Sequence, residues 1–267
     1  VRVNNVGTVD LDDLQQVLEA ATEEQPITVV SVMAVNNEVG SITPMRDVAR
    51  IVRRYAPNAI LHTDAVQAAC WVDLREITPL VDALSLSAHK FGGPKGVGVM
   101  VIKTGKNLEP LIFGGGQERD RRSGTHNVSG IIATAKALEV TDATRAEESV
   151  RVTKLRDRLV DEIRAQVDGV LETVPREHRV PGVAHICFSG LENEALLFLL
   201  DQADVYASAA SACASGAMEP SHVLEAMGVE RSWSNGALRL SLGHTTTDAE
   251  IDLAVSAIVS AVNQLRR

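Results

Sequence analysis

The stretch Ser87-Ala88-His89-Lys90-Phe91-Gly92-Gly93-Pro94-Lys95-Gly96 decides how the rest of this chain is read. It lies between two apolar runs of strand length, Val81-Asp82-Ala83-Leu84-Ser85-Leu86 before it and Val97-Gly98-Val99-Met100-Val101-Ile102 after it. A lysine at the end of a strand, followed at once by glycines that turn the backbone tightly, suits an amine that must reach a bound group. Asp64 closes an earlier apolar run, Ala59-Ile60-Leu61-His62-Thr63. Ligands of open α/β sheets collect at the carboxyl ends of the strands, and each of these two residues is delivered there by its own strand.

An amine for a Schiff base and a carboxylate for a pyridinium nitrogen are what pyridoxal 5'-phosphate requires of a protein. The amine must be neutral to exchange with a substrate amine, and burial beside a cofactor lowers its pKa. Taken singly, Lys90 also reads as a solvated loop lysine and Asp64 as a turn or capping aspartate. Lys95 is the competing amine in the same loop. It lies beyond the Gly-Gly-Pro turn and reads as structural or solvent-facing.

Working outward, Asp10 followed by Leu11, Leu14, Val17, Leu18 and Ala21 predicts a capped amphipathic helix. Ile27 to Met33 is an apolar run of strand length. Thr43-Pro44 predicts a helix start with proline at the first helical position, and Val48, Ile51, Val52 and Tyr55 continue its buried face. Strands near 59–63, 82–86 and 97–102 follow. This strand–helix alternation predicts a largely parallel sheet covered on both faces. A second region begins around residue 145, with a long charged helix over Thr144–Val167, a strand near Val183–Phe188, a helix at Glu192–Gln202 and an exposed loop around Cys213. Thr247-Asp248-Ala249-Glu250 is a capping box ahead of Ile251, Leu253, Ala254 and Ile258. The expected organisation is α/β, with a cofactor-binding large domain over 1–145 and a smaller C-terminal α+β domain over 146–267.

Among 267 residues, 45% are hydrophobic and 23% charged, ordinary for a globular enzyme. A net charge of −9 leaves no electrostatic footprint for nucleic acid. No apolar run is long enough to span a bilayer. Three cysteines without a CxxC pair argue against a disulfide framework and a zinc site, and point to a reducing cytoplasmic location.

Several separated blocks carry a more specific resemblance. They are Val35-Asn36-Asn37-Glu38-Val39-Gly40, His62-Thr63-Asp64-Ala65-Val66-Gln67, the Lys90 block, Gly114-Gly115-Gly116-Gln117-Glu118-Arg119, Arg122-Ser123-Gly124-Thr125, Ser211-Ala212-Cys213-Ala214-Ser215 and Leu238-Arg239-Leu240-Ser241-Leu242-Gly243. In this order the chain resembles the NifS/IscS class of pyridoxal-phosphate cysteine desulfurases, within the class V aminotransferase family. The resemblance implies a fold-type-I transferase in which Lys90 carries the cofactor and Asp64 keeps its ring nitrogen protonated. Asn37 and Gln67 match positions that bond the cofactor's phenolic oxygen, and Asn37 also borders the substrate. Ser87 matches a phosphate contact and His89 a ring-side contact that can orient the site or shuttle protons. Thr125 matches a threonine that reaches the phosphate of the neighbouring subunit, implying a homodimer. Arg239 alternates with Leu238 and Leu240 on a strand-like run, where its guanidinium matches the grip on a substrate carboxylate; a surface ion pair is the plainer use of such a residue. Compared with the family, the chain is expected to begin inside the catalytic domain, without the segment that supplies a phosphate-gripping turn and a ring-stacking histidine.

Cys213 lies among Ala207-Ser208-Ala209-Ala210-Ser211-Ala212 and Ala214-Ser215-Gly216-Ala217, residues too small to pack much. That setting predicts the mobile, accessible thiol that a nucleophile needs. Cys187, between Ile186 and Phe188, and Cys70, beside Ala68, Ala69 and Trp71, read as core. The activity implied is conversion of L-cysteine to L-alanine, with sulfur left as a persulfide on Cys213 for an acceptor protein such as an iron–sulfur scaffold or a tRNA-thiolation protein. Two alternatives stand beside it. One is another fold-type-I enzyme, such as a selenocysteine lyase or an aminotransferase; the other is a non-catalytic partner that binds a sulfur acceptor.

Overall fold

The structure is a computed structural model that describes residues 1–209 and 221–267. Helix α1 (Leu11–Glu19) starts where Asp10 accepts the Asp12 and Asp13 amides, both at 3.0 Å, and it buries Leu14 and Leu18. Strand β1 (Val29–Met33) leads to helix α2 (Met45–Tyr55). Pro44 sits one residue earlier than predicted, just outside the first helical residue. The Thr43 hydroxyl is the reason: it donates to the Met33 carbonyl (2.7 Å), tying the helix entry to the end of β1 instead of capping the helix. Met45, Val48, Ile51 and Val52 are buried, whereas Tyr55 is only partly covered.

Strand β2 (Ile60–Asp64), a short helix α3 (Leu74–Ile77), strand β3 (Ala83–Ser87) and strand β4 (Gly98–Ile102) complete the first unit. The sheet order is β1-β2-β3-β4, with the first three strands parallel and β4 antiparallel to β3. Its register is locked from below by Asp82, which is 3% exposed. The Leu61 N–H donates to Asp82 Oδ2 at 2.9 Å, and Arg53 lies 2.8 Å away. Burial pulls this carboxyl's pKa up, but the Leu61 amide, Arg53 and Lys106 outweigh it and hold it below the usual carboxylate range. Asp82→Ala strands a buried N–H at the start of β2, and it is expected to cost about 1–3 kcal/mol in denaturant unfolding. An unchanged unfolding midpoint would show that Asp82 does not hold the register.

Helix α4 (Val128–Gln166) is far longer than the Thr144–Val167 segment expected. It opens at Asn127, whose side chain accepts the Gly130 amide (3.0 Å), and it runs unbroken past residue 145. At about 1.5 Å per residue, such a helix is long enough to serve two cores. Ala137 and Leu138 pack against the first, while Val152, Leu155, Leu159 and Ile163 belong to the second.

The second unit contains β5 (Val170–Glu172), β6 (Val183–Phe188), α5 (Asn193–Asp201), α6 (His222–Ala226), α7 (Arg231–Ser234), β7 (Ala237–Ser241) and α8 (Asp248–Leu265). Its three strands form an antiparallel sheet in the order β5-β6-β7. The predicted capping box at Thr247 and Glu250 is present. Ala184, Ile186, Phe188, Leu238 and Leu240 face the cluster built on α4 and α8, and Val183, His185, Cys187, Ala237 and Arg239 alternate onto the opposite face. Trp71 packs against both main clusters. Gly182 makes room for it, because a Cβ there would lie 2.2 Å from the indole ring. Among the described residues, no helix is long and apolar enough to cross a membrane.

Candidate active site

The carboxyl ends of β1, β2 and β3 lie along one edge, since the three strands are parallel neighbours. Three loops leave that edge and bring the candidate residues with them. Asn37 follows β1, Asp64 ends β2 with Gln67 just beyond, and Ser87 ends β3 with His89 and Lys90 just beyond.

The Lys90 turn is held firmly on its buried side. Residues Ala88–Phe91 form a single 3-10 turn that stops at Gly92, whose φ of +83° a side chain would disfavour. Ala88 and Phe91 are buried, and the Ala88 carbonyl accepts the Gly93 amide (2.9 Å). The Phe91 carbonyl accepts the Thr141 hydroxyl (3.1 Å), and the Lys90 carbonyl accepts the Cys70 thiol (3.3 Å). Cys70 packs against the first core cluster, as expected, without being fully buried. It is partly exposed, burial raises its pKa, and its thiol braces the lysine turn. The Lys90 side chain itself is exposed and its amine makes no hydrogen bond or ion pair with the described residues. Lys95, past the turn, is also exposed.

Asp64 is partly buried, and one of its carboxylate oxygens accepts the Val66 amide at 2.9 Å. Two residues earlier on the same strand face, His62 bridges the sheet: Nδ1 lies 2.8 Å from Ser31 Oγ on β1 and Nε2 lies 3.1 Å from Ser85 Oγ on β3. In the sequence, His62 stands only as part of the block His62-Thr63-Asp64-Ala65-Val66-Gln67. The period of two that aligns it with Asp64 is the signal that singles it out. His89 Nδ1 lies 2.9 Å from Ser87 Oγ, so these two candidates orient each other.

The adjacent asparagines divide their work. Asn36 spends its side-chain oxygen on the Glu38 and Val39 amides (2.8 and 2.9 Å), which shapes the turn. Asn37 is left exposed, and its carbonyl accepts an N–H from Arg239 Nη1 at 3.0 Å. That bond joins residues 202 apart and brings the second unit to the edge where β1 ends. Arg239 is in no ion pair among the described residues. Glu38, one position on, is 3% exposed. Burial raises its pKa, against the pull of the Ser221 hydroxyl, His222 and Arg239.

Thr125 is exposed in a separate loop, away from these contacts. That loop carries left-handed backbone at Glu118, Arg119 and Asp120, and it follows Leu111 and Phe113, which are 94% and 78% exposed. Cys187 is fully buried as expected, and burial first and Glu38 second push its thiol up to about 12. Cys213 lies outside the described residues.

A mostly parallel sheet with an amine, a carboxylate and an imidazole at its strand ends, joined through one long helix to an antiparallel α+β unit, is the architecture of a fold-type-I transferase. The chain belongs to the class-V aminotransferase family, whose pattern matches residues 1–253. It is similar to a cysteine desulfurase IscS of Clostridium botulinum (39% identical over 266 residues, 99% of this chain) and to an IscS-like cysteine desulfurase of Mycobacterium tuberculosis (40% over 262 residues, 98%). The chain spans about 65% of the length of these relatives. A solved NifS-like protein, 37% identical, matches with a TM-score of 0.88 over 99% of this chain and 68% of its own length. The fold-type-I expectation is thus the architecture found.

Proposed function

We propose that the protein containing this chain is a pyridoxal-phosphate-dependent cysteine desulfurase. It would convert L-cysteine to L-alanine and hand the sulfur, as a persulfide, to an acceptor protein such as an iron–sulfur scaffold. The observation that carries this reading is the convergence of Asn37, Asp64, Gln67, Ser87, His89 and Lys90 on the carboxyl edge of β1-β2-β3, with Arg239 bonded to Asn37. The donor set fits the cofactor: an amine without a partner among the described residues, a carboxylate one strand away, and a hydroxyl–imidazole pair beside the amine. When bound, the cofactor supplies an electron sink for the substrate's α-carbon.

The residues then divide the work. Lys90 Nζ would hold the cofactor, and Asp64 would keep the proton on its ring nitrogen. Gln67 and Asn37 would bond the cofactor's phenolic oxygen, and Ser87 would donate to its phosphate. With Nδ1 tied to Ser87, the Nε2 of His89 is left for the ring side. Arg239 takes the substrate carboxylate in bidentate fashion. The Cys213 thiolate attacks the substrate sulfur; an S–S bond forms as the substrate's Cβ–S bond breaks, and alanine departs after protonation. Cofactor residues fall in 1–145, whereas Arg239 and Cys213 fall in 146–267, so the site draws on both proposed domains.

Thr125 serves the site of a second copy in this reading, and the exposed Leu111 and Phe113 beside its loop support a homodimer. Sedimentation of the cofactor-loaded full-length protein as a monomer would remove Thr125 from the site. The cysteine content and lack of CxxC support a cytoplasmic setting; a disulfide found in the isolated native protein would speak against it. The activity is tested by giving the full-length protein L-cysteine and a reductant. Alanine and sulfide in equal amounts are expected, and no alanine is expected from L-serine. Pyruvate and ammonia in place of alanine would overturn the reading.

A further inference from the structure

β6 and β7 pair antiparallel with His185 directly opposite Arg239. Arg239 donates its backbone N–H to the Ser208 carbonyl (2.7 Å) and accepts the Ser208 amide (3.2 Å), so its main-chain groups point away from β6. The His185 carbonyl likewise points away from β7, accepting the Thr173 amide (3.2 Å) from the β5 side. The two residues therefore form a pair without mutual backbone hydrogen bonds, the kind whose side chains approach most closely.

Both side chains have an unmet need. His185 is fully buried. Its Nδ1 lies 3.0 Å from Thr173 Oγ1, and the same hydroxyl lies 3.3 Å from the His185 carbonyl; when the hydroxyl donates to that carbonyl, Nδ1 is the donor and Nε2 carries a bare lone pair. No partner meets Nε2 among the described residues, and the buried Nε of Arg239 also has none. An orphaned acceptor and an orphaned donor thus sit on facing residues, in surroundings where either alone is costly. Burial, followed by the charges of Arg239 and Arg179, pushes the imidazole down to about 3, so it is neutral under physiological conditions. Glu38 and Cys187 also lie near this face, with His222 beside Glu38 and Glu172 paired with Arg179.

We infer that His185 is a positioning residue for Arg239, its neutral Nε2 attracting the Arg239 Nε–H while the Asn37 carbonyl holds Nη1. The Asn37 carbonyl fixes one end of the guanidinium by a hydrogen bond. The imidazole lone pair biases the Nε–H edge by electrostatic attraction, without a hydrogen bond between the two in this structure, and the rest of the fork is left for a carboxylate. Its role toward substrate rests on the proposed function, whereas the coupling of imidazole to guanidinium does not.

The direct test is nitrogen NMR of the histidines in the cofactor-loaded full-length protein. His185 should be neutral and protonated at Nδ1 between about pH 5 and 8, and its Nε2 resonance should move on Arg239→Gln. An Nε2–H tautomer, or a resonance indifferent to Arg239→Gln, would overturn the inference even if no His185 variant folds. Kinetics supply the second arm. His185→Leu should raise KM for L-cysteine about tenfold with kcat within about twofold, as expected when the guanidinium loses the attraction that biases its Nε–H edge. His185→Gln restores an acceptor and should return KM to within about threefold of wild type. If Arg239→Gln raises KM while His185→Leu does not, the positioning role fails and the carboxylate role stands. If Arg239→Gln leaves KM unchanged, it is the carboxylate role that fails, and the NMR result alone decides the coupling.

Discussion

Lys90→Ala in the full-length protein is expected to remove sulfur release from L-cysteine by a factor on the order of 10³ or more, because no other residue supplies the amine at that point. Added cofactor should still bind, through Asp64 and Ser87, but without the absorbance of a lysine-linked form. The backbone of the turn is held by Ala88, Phe91, Cys70 and Thr141 rather than by the Lys90 side chain, so folding should be preserved. Lys95→Ala, by contrast, should change turnover by no more than about twofold, as befits an exposed residue beyond the turn. Turnover measured on the two variants side by side decides between the amines. An active Lys90→Ala protein would end the assignment.

The second large effect belongs to Cys213. Cys213→Ser should keep the bound cofactor's spectrum and still take up L-cysteine, yet release sulfide slower by a factor on the order of 10³, since a neutral hydroxyl is a poor acceptor of sulfur. Cys187→Ser should retain turnover while losing stability, because it places a hydroxyl in a fully buried position. Cys70→Ser should also turn over, with its hydroxyl able to replace the thiol on the Lys90 carbonyl. Full activity in Cys213→Ser would exclude it as the sulfur acceptor.

The elements legible in the sequence are those whose local chemistry and burial agree. Asp10 caps α1, Thr247 and Glu250 form the box that starts α8, and Val183–Phe188 is a strand as read, each because a short-range signal fixes it. The first four turns of α4 were not legible. Val128, Ile131, Ile132 and Val140 are exposed on that helix, so its apolar residues do not form the single buried stripe that a periodicity argument needs. Residue 145 looked like a start because Thr144 precedes a charged run, whereas the helix is already well under way there. For the candidate site, Lys90 and Asp64 are placed at strand ends by the sequence pattern, whereas Ser87 and His89 enter through the resemblance. The Asn37–Arg239 bond could not be placed from the sequence, nor could the pairing of His185 with Arg239, since both depend on how the second unit docks and on a strand register that no local pattern specifies. Cys70 reads as core from its small apolar neighbours and does pack against the first cluster, but the reach of its thiol to the lysine turn depends on tertiary contacts that no local pattern specifies.

The most direct measurement is borohydride reduction of the cofactor-loaded full-length protein, followed by digestion and mass mapping of the fixed cofactor. The site built on the ends of β2 and β3 predicts one modified peptide, with the cofactor on Lys90. Modification of Lys95, or of any lysine outside the Ala88–Phe91 turn, would contradict it.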